Sequence, residues 1–266
     1  MKNDVNEYCD KFVKEAKIWK YKENVFEETI DRVVEEDFLA IKINNRIIAE
    51  LSCLLSHKEY LAIGFLFTEG FISDLSDLKN KRTRKNVFSA KLHKHISMKD
   101  KKPTYLSGCG KSFTFKSSSS FPDALNIDIS LMHCFSAEKI LRTLSEFLRS
   151  DSIHLATGGT HAAAMATEDE ILFFAPDIGR HNAMQKVIGW AFSKKVSMHD
   201  KIIFSTGRIS GEVVHYALAI GAPLIVSPSA PTNLAVNRAK NAGITLIGFA
   251  RGKRLSIFSH PERVQV

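Results

Sequence analysis

The sequence predicts a two-part α/β protein, with a larger unit over residues 136–266 built on a parallel sheet and a smaller α+β unit over residues 1–135. Three observations predict it. After residue 136, short apolar runs alternate with helix-period segments across short polar loops, the pattern of a parallel sheet with right-handed crossovers. Between residues 38 and 67, a strand-like alternation, an Asn-Asn turn and one helix form a compact set. Between these regions the composition changes, to a run of cations at 79–102 and the serines at 117–120, which read as a flexible connector. The boundary is placed near residue 135.

Residues 1–20 are polar and helix-permissive, with Phe12, Ala16 and Trp19 at helical spacing. Leu39, Ile41 and Ile43 alternate up to Asn44-Asn45, a hairpin leading into the apolar run 47–55. A helix over 57–67 presents Leu61, Phe65 and Leu66 and closes at Glu69-Gly70. From Ser136, a plausible cap, Ile140, Leu141, Leu144, Phe147 and Leu148 mark a helix. Strands follow at 161–167 and 170–175, then a helix over 181–194. Strands at 201–205, 223–227 and 245–249 enclose helices at 211–220 and 233–242.

The 266 residues, 44% hydrophobic and 25% charged, suit a soluble globular chain able to bury a core. No apolar run reaches the length of about eighteen residues that spans a membrane, and the polar start is no signal peptide, so a cytoplasmic protein is expected. Cys9, Cys53, Cys109 and Cys134 are scattered, without C-x-x-C spacing, which argues against a disulfide scaffold or a zinc site. Cys53, within an apolar run, reads as a core thiol. The net charge of +8 is local: residues 79–102 hold ten Lys or Arg against Asp100. That stretch is either a solvated loop or a surface for an acidic protein or nucleic acid.

Cys109 stands in Ser107-Gly108-Cys109-Gly110-Lys111, where flanking glycines and an adjacent cation favour an accessible thiolate. No adjacent histidine marks a protease nucleophile, and no neighbouring thiol marks a dithiol couple. A single-thiol sulfur carrier and an inert loop cysteine remain open. Ligands of open parallel sheets bind beyond the strands' carboxyl ends. There stand Thr206-Gly207-Arg208-Ile209-Ser210, Pro228-Ser229-Ala230-Pro231-Thr232 and Ala250-Arg251-Gly252-Lys253-Arg254, with donors and cations suited to an anion. Thr232 is equally a helix cap, and Arg251, Lys253 and Arg254 equally a solvated strand end. The same rim takes Thr157-Gly158-Gly159-Thr160-His161, which lacks a dinucleotide fingerprint, and Asp177-Ile178-Gly179-Arg180-His181-Asn182, whose Asp177 and Asn182 also suit capping.

In order along the chain, Thr157-Gly158-Gly159-Thr160-His161-Ala162-Ala163, Asp177-Ile178-Gly179-Arg180-His181-Asn182-Ala183, Gly207-Arg208-Ile209-Ser210, Ser229-Ala230-Pro231-Thr232 and Gly248-Phe249-Ala250-Arg251-Gly252-Lys253-Arg254 resemble the FdhD family of formate dehydrogenase accessory proteins. Leu61-Ala62-Ile63-Gly64-Phe65-Leu66-Phe67-Thr68-Glu69-Gly70 resembles that family too, so the likeness spans about residues 25–265. It implies a sulfurtransferase that takes sulfur from a cysteine desulfurase as a persulfide on the residue matching Cys109. The sulfur passes to the molybdenum cofactor, bis-molybdopterin guanine dinucleotide, before insertion into the formate dehydrogenase apoenzyme.

The resemblance further implies a C-terminal three-layer α/β/α sandwich like that of cytidine deaminase, a homodimer, and a cofactor-binding stretch at Phe249, Ala250, Arg251, Gly252, Lys253 and Arg254. With the rim, the expected ligand set extends to Gly158, Gly159, His161, Asp177, Arg180, His181, Asn182, Arg208, Ser229 and Thr232. No resident metal, membrane or nucleic-acid partner is expected. Two positions depart from the family's pattern: Leu106 stands where many members have the first cysteine of C-x-x-C-G-K, and Gln185-Lys186 stands where Asp-Lys is frequent. A non-catalytic cofactor-binding chaperone is the alternative. A deaminase-like hydrolase fits poorly, because the H-x-E and P-C-x-x-C zinc signature is absent.

Overall fold

A computed structural model describes residues 9–92, 104–105, 113–114, 127 and 133–266. Its largest sheet has six strands: β10 (His161–Ala166), β11 (Ile171–Asp177), β12 (Ile202–Ser205), β13 (Leu224–Val226), β14 (Thr245–Arg251) and β15 (Arg254–Ser259), in the order β11-β10-β12-β13-β14-β15. Only β12, β13 and β14 are parallel. The parallel pairing expected of these three strands is found, and antiparallel strands extend the sheet on both sides: β10 pairs antiparallel with β11 and β12, and β15 with β14. The reason is loop length. The turns at 167–170 and 252–253 are too short for a crossover, so each forces a hairpin.

Both faces of this sheet are covered. On one, α4 (Arg180–Lys194), α5 (Gly211–Ala219) and α6 (Asn233–Ala242) bury Met184, Val187, Val213 and Ala235 against Met165, Ile203, Ile225 and Leu246. On the other, α2 (Ala137–Ser150) sets Ile140, Leu144 and Phe147 against Ala164, Phe204 and Val226. Ser136 caps α2 as expected, its hydroxyl accepting from the Lys139 amide. The short α3 (Ser152–Thr157) ends at Gly158, whose φ of 66° is the left-handed cap that glycine favours.

N-terminal to this, a four-stranded sheet of order β4-β3-β6-β5 combines β3 (Asp37–Ile43), β4 (Arg46–Cys53), β5 (Leu78–Arg84) and β6 (Val87–Leu92). Asn44 and Asn45 take φ of 47° and 67°, making the tight turn that the sequence announced. The first part of the basic stretch is therefore the β5–β6 hairpin rather than a loop, pinned by buried Leu78, Phe88 and Ala90. Against its inner face lies α1 (Lys58–Thr68), buried on several sides because it also packs on α4. A Cβ at Gly64 would come within 1.8 Å of the Gln185 carbonyl oxygen, and one at Gly189 within 1.9 Å of the Tyr60 carbonyl oxygen. The glycines thus let the two helix backbones touch.

The helix-permissive reading of residues 1–20 is corrected from residue 13 on, residues 1–8 lying outside the described ones. Beyond a helical turn at 9–12, β1 (Val13–Lys22) pairs over its whole length with β2 (Val25–Val34). The β-branched and aromatic residues of β2 supply cross-strand partners, and left-handed Glu23 and Asn24 close the turn, which outweighs the helical spacing of Phe12, Ala16 and Trp19. Two short pairs complete the structure: β7 (Thr104–Tyr105) with β8 (Phe113–Thr114), and β9 (Phe135–Ser136) with β16 (Val264–Gln265). Cys109, with the rest of its loop and the serines at 117–120, lies outside the described residues. In sequence it stands midway between the paired residues Tyr105 and Phe113.

Candidate functional site

At the carboxyl ends of β12, β13 and β14 three loops interlock through their own hydrogen bonds. Ser229 Oγ donates to the Thr206 carbonyl at 2.9 Å, and Ser227 Oγ to the Gly207 carbonyl at 2.9 Å. The Ile209 amide donates to Ala230, the Thr232 amide to Ile209, and the Phe249 and Ala250 amides to Ser229 and Ser227. The rim is thus one connected backbone unit. Thr206 also fastens β10 to it, donating its amide to the Ala162 carbonyl and holding His161 Nδ1 at 3.2 Å from its hydroxyl.

Four basic groups converge beside these loops. Arg180 lies against Gly207, where a Cβ would stand 2.7 Å from Arg180 Cδ, so only glycine leaves room for the guanidinium stem. Burial first, then the charges of Arg180, His154 and His181, hold the His161 imidazole below its ordinary pKa. His181 Nε2 lies 3.3 Å from Glu212 Oε2 at the start of α5. Arg208, Arg251, Lys253 and Arg254 are exposed and make no ion pair among the described residues.

Phe249 is the unusual member. Its φ of 51° is a left-handed conformation that costs an aromatic residue energy, and its side chain is 50% exposed. It sits in a bulge, where the β14–β15 register shifts between Gly248 and Arg251, and Gly252 with φ 60° turns the chain into β15. The bulge presents an aromatic ring next to unpaired cations at the end of a parallel-sheet strand. Such a surface can bind an anionic ligand that carries a flat ring.

The structure brings His161, Arg180, His181, Arg208, Ser229 and Phe249 to this rim, with Arg251, Lys253 and Arg254 on the adjoining hairpin. Ala250 reaches it by its backbone alone, its side chain being buried. Other expected ligand residues are occupied otherwise. Thr232 caps α6, accepting from the Ala235 amide at 3.2 Å. Gly158 ends α3, and Gly159 faces Val34 of β2, 2.6 Å from where its Cβ would be.

Asp177 is fully buried and pairs with the equally buried Lys186 at 2.6 Å. It also accepts from the Gly179 amide, the Leu54 amide and Asn182 Nδ2. Asn182 donates onward to the Ser52 carbonyl. Lys186 donates to Leu54 O, Ser56 Oγ and Pro176 O, each at 2.9 Å. This network, which sequence reasoning missed, latches the 52–56 segment to the loop that carries Arg180. Gln185, which the sequence did single out, is buried and donates to Thr68 Oγ1 and Tyr216 OH.

Cys53 is fully buried, as expected, its thiol pushed up to about 12 chiefly by burial. Among the described residues no group of His, Cys, Asp and Glu could hold a metal ion, and no helix is long and apolar enough to cross a membrane.

Comparison with known proteins follows the same lines. The FdhD/NarQ family pattern matches residues 34–265. Proteins named sulfur carrier protein FdhD are similar along nearly the whole chain: that of Geobacillus kaustophilus is 34% identical, with 94% of this chain and 97% of the relative covered. That of Listeria innocua is 32% identical (95% and 98%). That of Bacillus subtilis is 31% identical (96% and 99%). A crystal structure from Desulfotalea psychrophila, assigned as a formate dehydrogenase accessory protein, superposes with a TM-score of 0.80 at 24% identity, over 96% of this chain and all of that one; it speaks for the fold. The chain therefore belongs to the FdhD/NarQ family.

Proposed function

We infer that this protein is the sulfur carrier of molybdenum-cofactor maturation, loading Cys109 with sulfur and passing it to a cofactor held on the rim. In the first step the Cys109 thiolate attacks the terminal sulfur of a cysteine desulfurase persulfide. The donor's S–S bond breaks and the desulfurase leaves as a thiolate, so no net redox occurs. The outer sulfur of Cys109 then goes to the molybdenum of bis-molybdopterin guanine dinucleotide, the cargo, before its insertion into formate dehydrogenase. Release of that sulfur as sulfide consumes two electrons. With Leu106 where a second cysteine stands in many relatives, they come from an external thiol that ends in a disulfide with Cys109.

What carries this reading is the likeness, over nearly the whole chain, to relatives named sulfur carrier proteins. The rim supports the cargo assignment: unpaired Arg208, Arg251 and Arg254 suit a pyrophosphate, and the half-exposed Phe249 ring suits stacking of a guanine base. In this scheme residues 1–135 carry the thiol, and residues 136–266, a sandwich of the cytidine-deaminase kind, hold the cofactor. The protein acts as a cytoplasmic homodimer.

Complementation tests it. In a strain lacking its own sulfur carrier, the wild-type chain restores formate dehydrogenase activity and Cys109→Ser does not. Full restoration by Cys109→Ser would favour a chaperone that binds the cofactor without sulfur chemistry.

A further inference from the structure

Among the described residues, the four-stranded sheet is covered on one side only. Leu39, Ile41, Ile43, Phe88 and Ala90 point inward to α1, so alternation sends their neighbours to the other face. The strand registers arrange that outer face in rows. Glu50, Ala40, Val87 and Arg84 lie side by side, then Ile47, Lys42, Ser89 and Arg82, with Lys91 beside Lys79 at the end. Phe38, Ile47 and Val87 are 58%, 60% and 37% exposed. Lys42, Lys79, Arg82, Arg84 and Lys91 form no ion pair among the described residues; within the β5–β6 hairpin only Lys81 has one, with Glu59 at 3.3 Å.

We propose that this open face, apolar toward Phe38 and Ile47 and cationic toward Arg82 and Lys91, is the docking surface for an acidic protein partner, the sulfur donor. This rests on the function proposed above. Charge complementarity selects the partner: five unpaired cations against Glu50 on one flat face repel a basic surface and attract an acidic one. A single exposed aromatic, Phe38, gives no stacking platform for successive bases, which favours protein over nucleic acid. The partner meets the face, not the β5 edge. That edge is broken by a register shift between Lys79 and Arg82 and by left-handed Asn80 (φ 52°), features that prevent strand addition.

Continuity along the chain supports the donor. β6 ends at Leu92, and the β7–β8 pair that brackets Cys109 begins eleven residues later, after 93–103. Eleven residues reach at most about 40 Å. A donor seated on β5 and β6 is thereby within that chain reach of β7, the strand that precedes Cys109 in sequence.

The test uses the full-length protein and a purified cysteine desulfurase. Binding is read by fluorescence anisotropy in a Cys109→Ala background, independently of sulfur chemistry, and loading by the rate of sulfur addition to Cys109. Arg82→Glu/Arg84→Glu/Lys91→Glu should weaken desulfurase binding and slow desulfurase-driven loading about tenfold or more at low salt. The loss should shrink at roughly 200 mM salt, where screening is strong. Loading by inorganic polysulfide should be unchanged.

A control with the same charge change at exposed Arg149, Lys194 and Lys240 should behave as wild type. Three results would overturn the proposal: wild-type desulfurase affinity in the triple variant, equal weakening in the control, or tighter binding of a twenty-nucleotide RNA than of the desulfurase with loss of RNA in the triple variant. Absence of any sulfur adduct on wild-type Cys109 from either source would instead defeat the sulfur-carrier reading, while the anisotropy still decides the docking surface.

Discussion

Replacing Lys186 with methionine probes the buried latch behind the rim. The ammonium makes three hydrogen bonds of 2.9 Å and lies 2.6 Å from Asp177, with both side chains fully out of solvent. In Lys186→Met the carboxylate keeps its three hydrogen-bond donors but loses its counter-charge, while Leu54 O, Pro176 O and Ser56 Oγ lose a donor. Breaking one side of a buried pair costs about 3–5 kcal/mol. At roughly 2–4 °C per kcal/mol for a chain of this size, the melting point should fall by about 6–20 °C.

Urea unfolding followed by tryptophan fluorescence measures the cost. Asp177→Asn/Lys186→Met should be less destabilised than Lys186→Met alone, because the double change removes both charges. Asp177→Asn should also bind guanosine diphosphate as wild type does once folded, since Asp177 is fully buried in the latch. A cost below about 1 kcal/mol for Lys186→Met would refute the reasoning, as would a large loss of nucleotide affinity in Asp177→Asn.

Four further outcomes are expected. Gly64→Ala should destabilise by about 3 kcal/mol or more, since its Cβ meets a carbonyl oxygen at 1.8 Å and two helices must part; urea unfolding at wild-type level would deny the close crossing. Phe249→Gly should relieve the left-handed strain, raising stability slightly, yet weaken guanosine diphosphate binding about tenfold by calorimetry.

The His57 imidazole is held at about 4, by burial first and the Lys186 charge second. The unfolded chain binds that proton more readily, so stability present above the ordinary value of 6.5 is lost as pH falls toward 4, by about 3 kcal/mol. In His57→Phe the urea midpoint should vary less over that range. Alkylation of the native protein at pH 8 should modify exposed Cys134 and spare buried Cys9 and Cys53, read by peptide mass mapping.

Much of the C-terminal half was legible because its elements carry their own periods, and α2 and α6 their own caps. Ile140, Leu144 and Phe147 mark one buried face of α2, and Thr232 begins α6. What was hidden depends on partners remote in sequence. Phe12, Ala16 and Trp19 satisfy helical spacing, but only Phe12 lies in a helical turn, and pairing of β1 with β2 makes Ala16 and Trp19 strand residues. Within the basic stretch the alternation Val87-Phe88-Ser89-Ala90 was a strand signal, masked by the surrounding charge.

Asp177 looked like a rim ligand because its motif is polar and short. Its true partners are Lys186, nine positions on, and Leu54, far upstream, and no local pattern couples them. Conversely, the three rim loops were legible, since the carboxyl ends of β12 to β14 are fixed by strand order. The left-handed Phe249 that singles out one of them is a backbone property with no letter of its own.

The central claim is that sulfur travels on Cys109, and intact mass after incubation with a cysteine desulfurase and cysteine tests it most directly. The account predicts a gain of about 32 Da, one sulfur atom, that is removed by a reducing thiol and absent from Cys109→Ala. No gain on the wild-type chain, or an undiminished gain on Cys109→Ala, would contradict it.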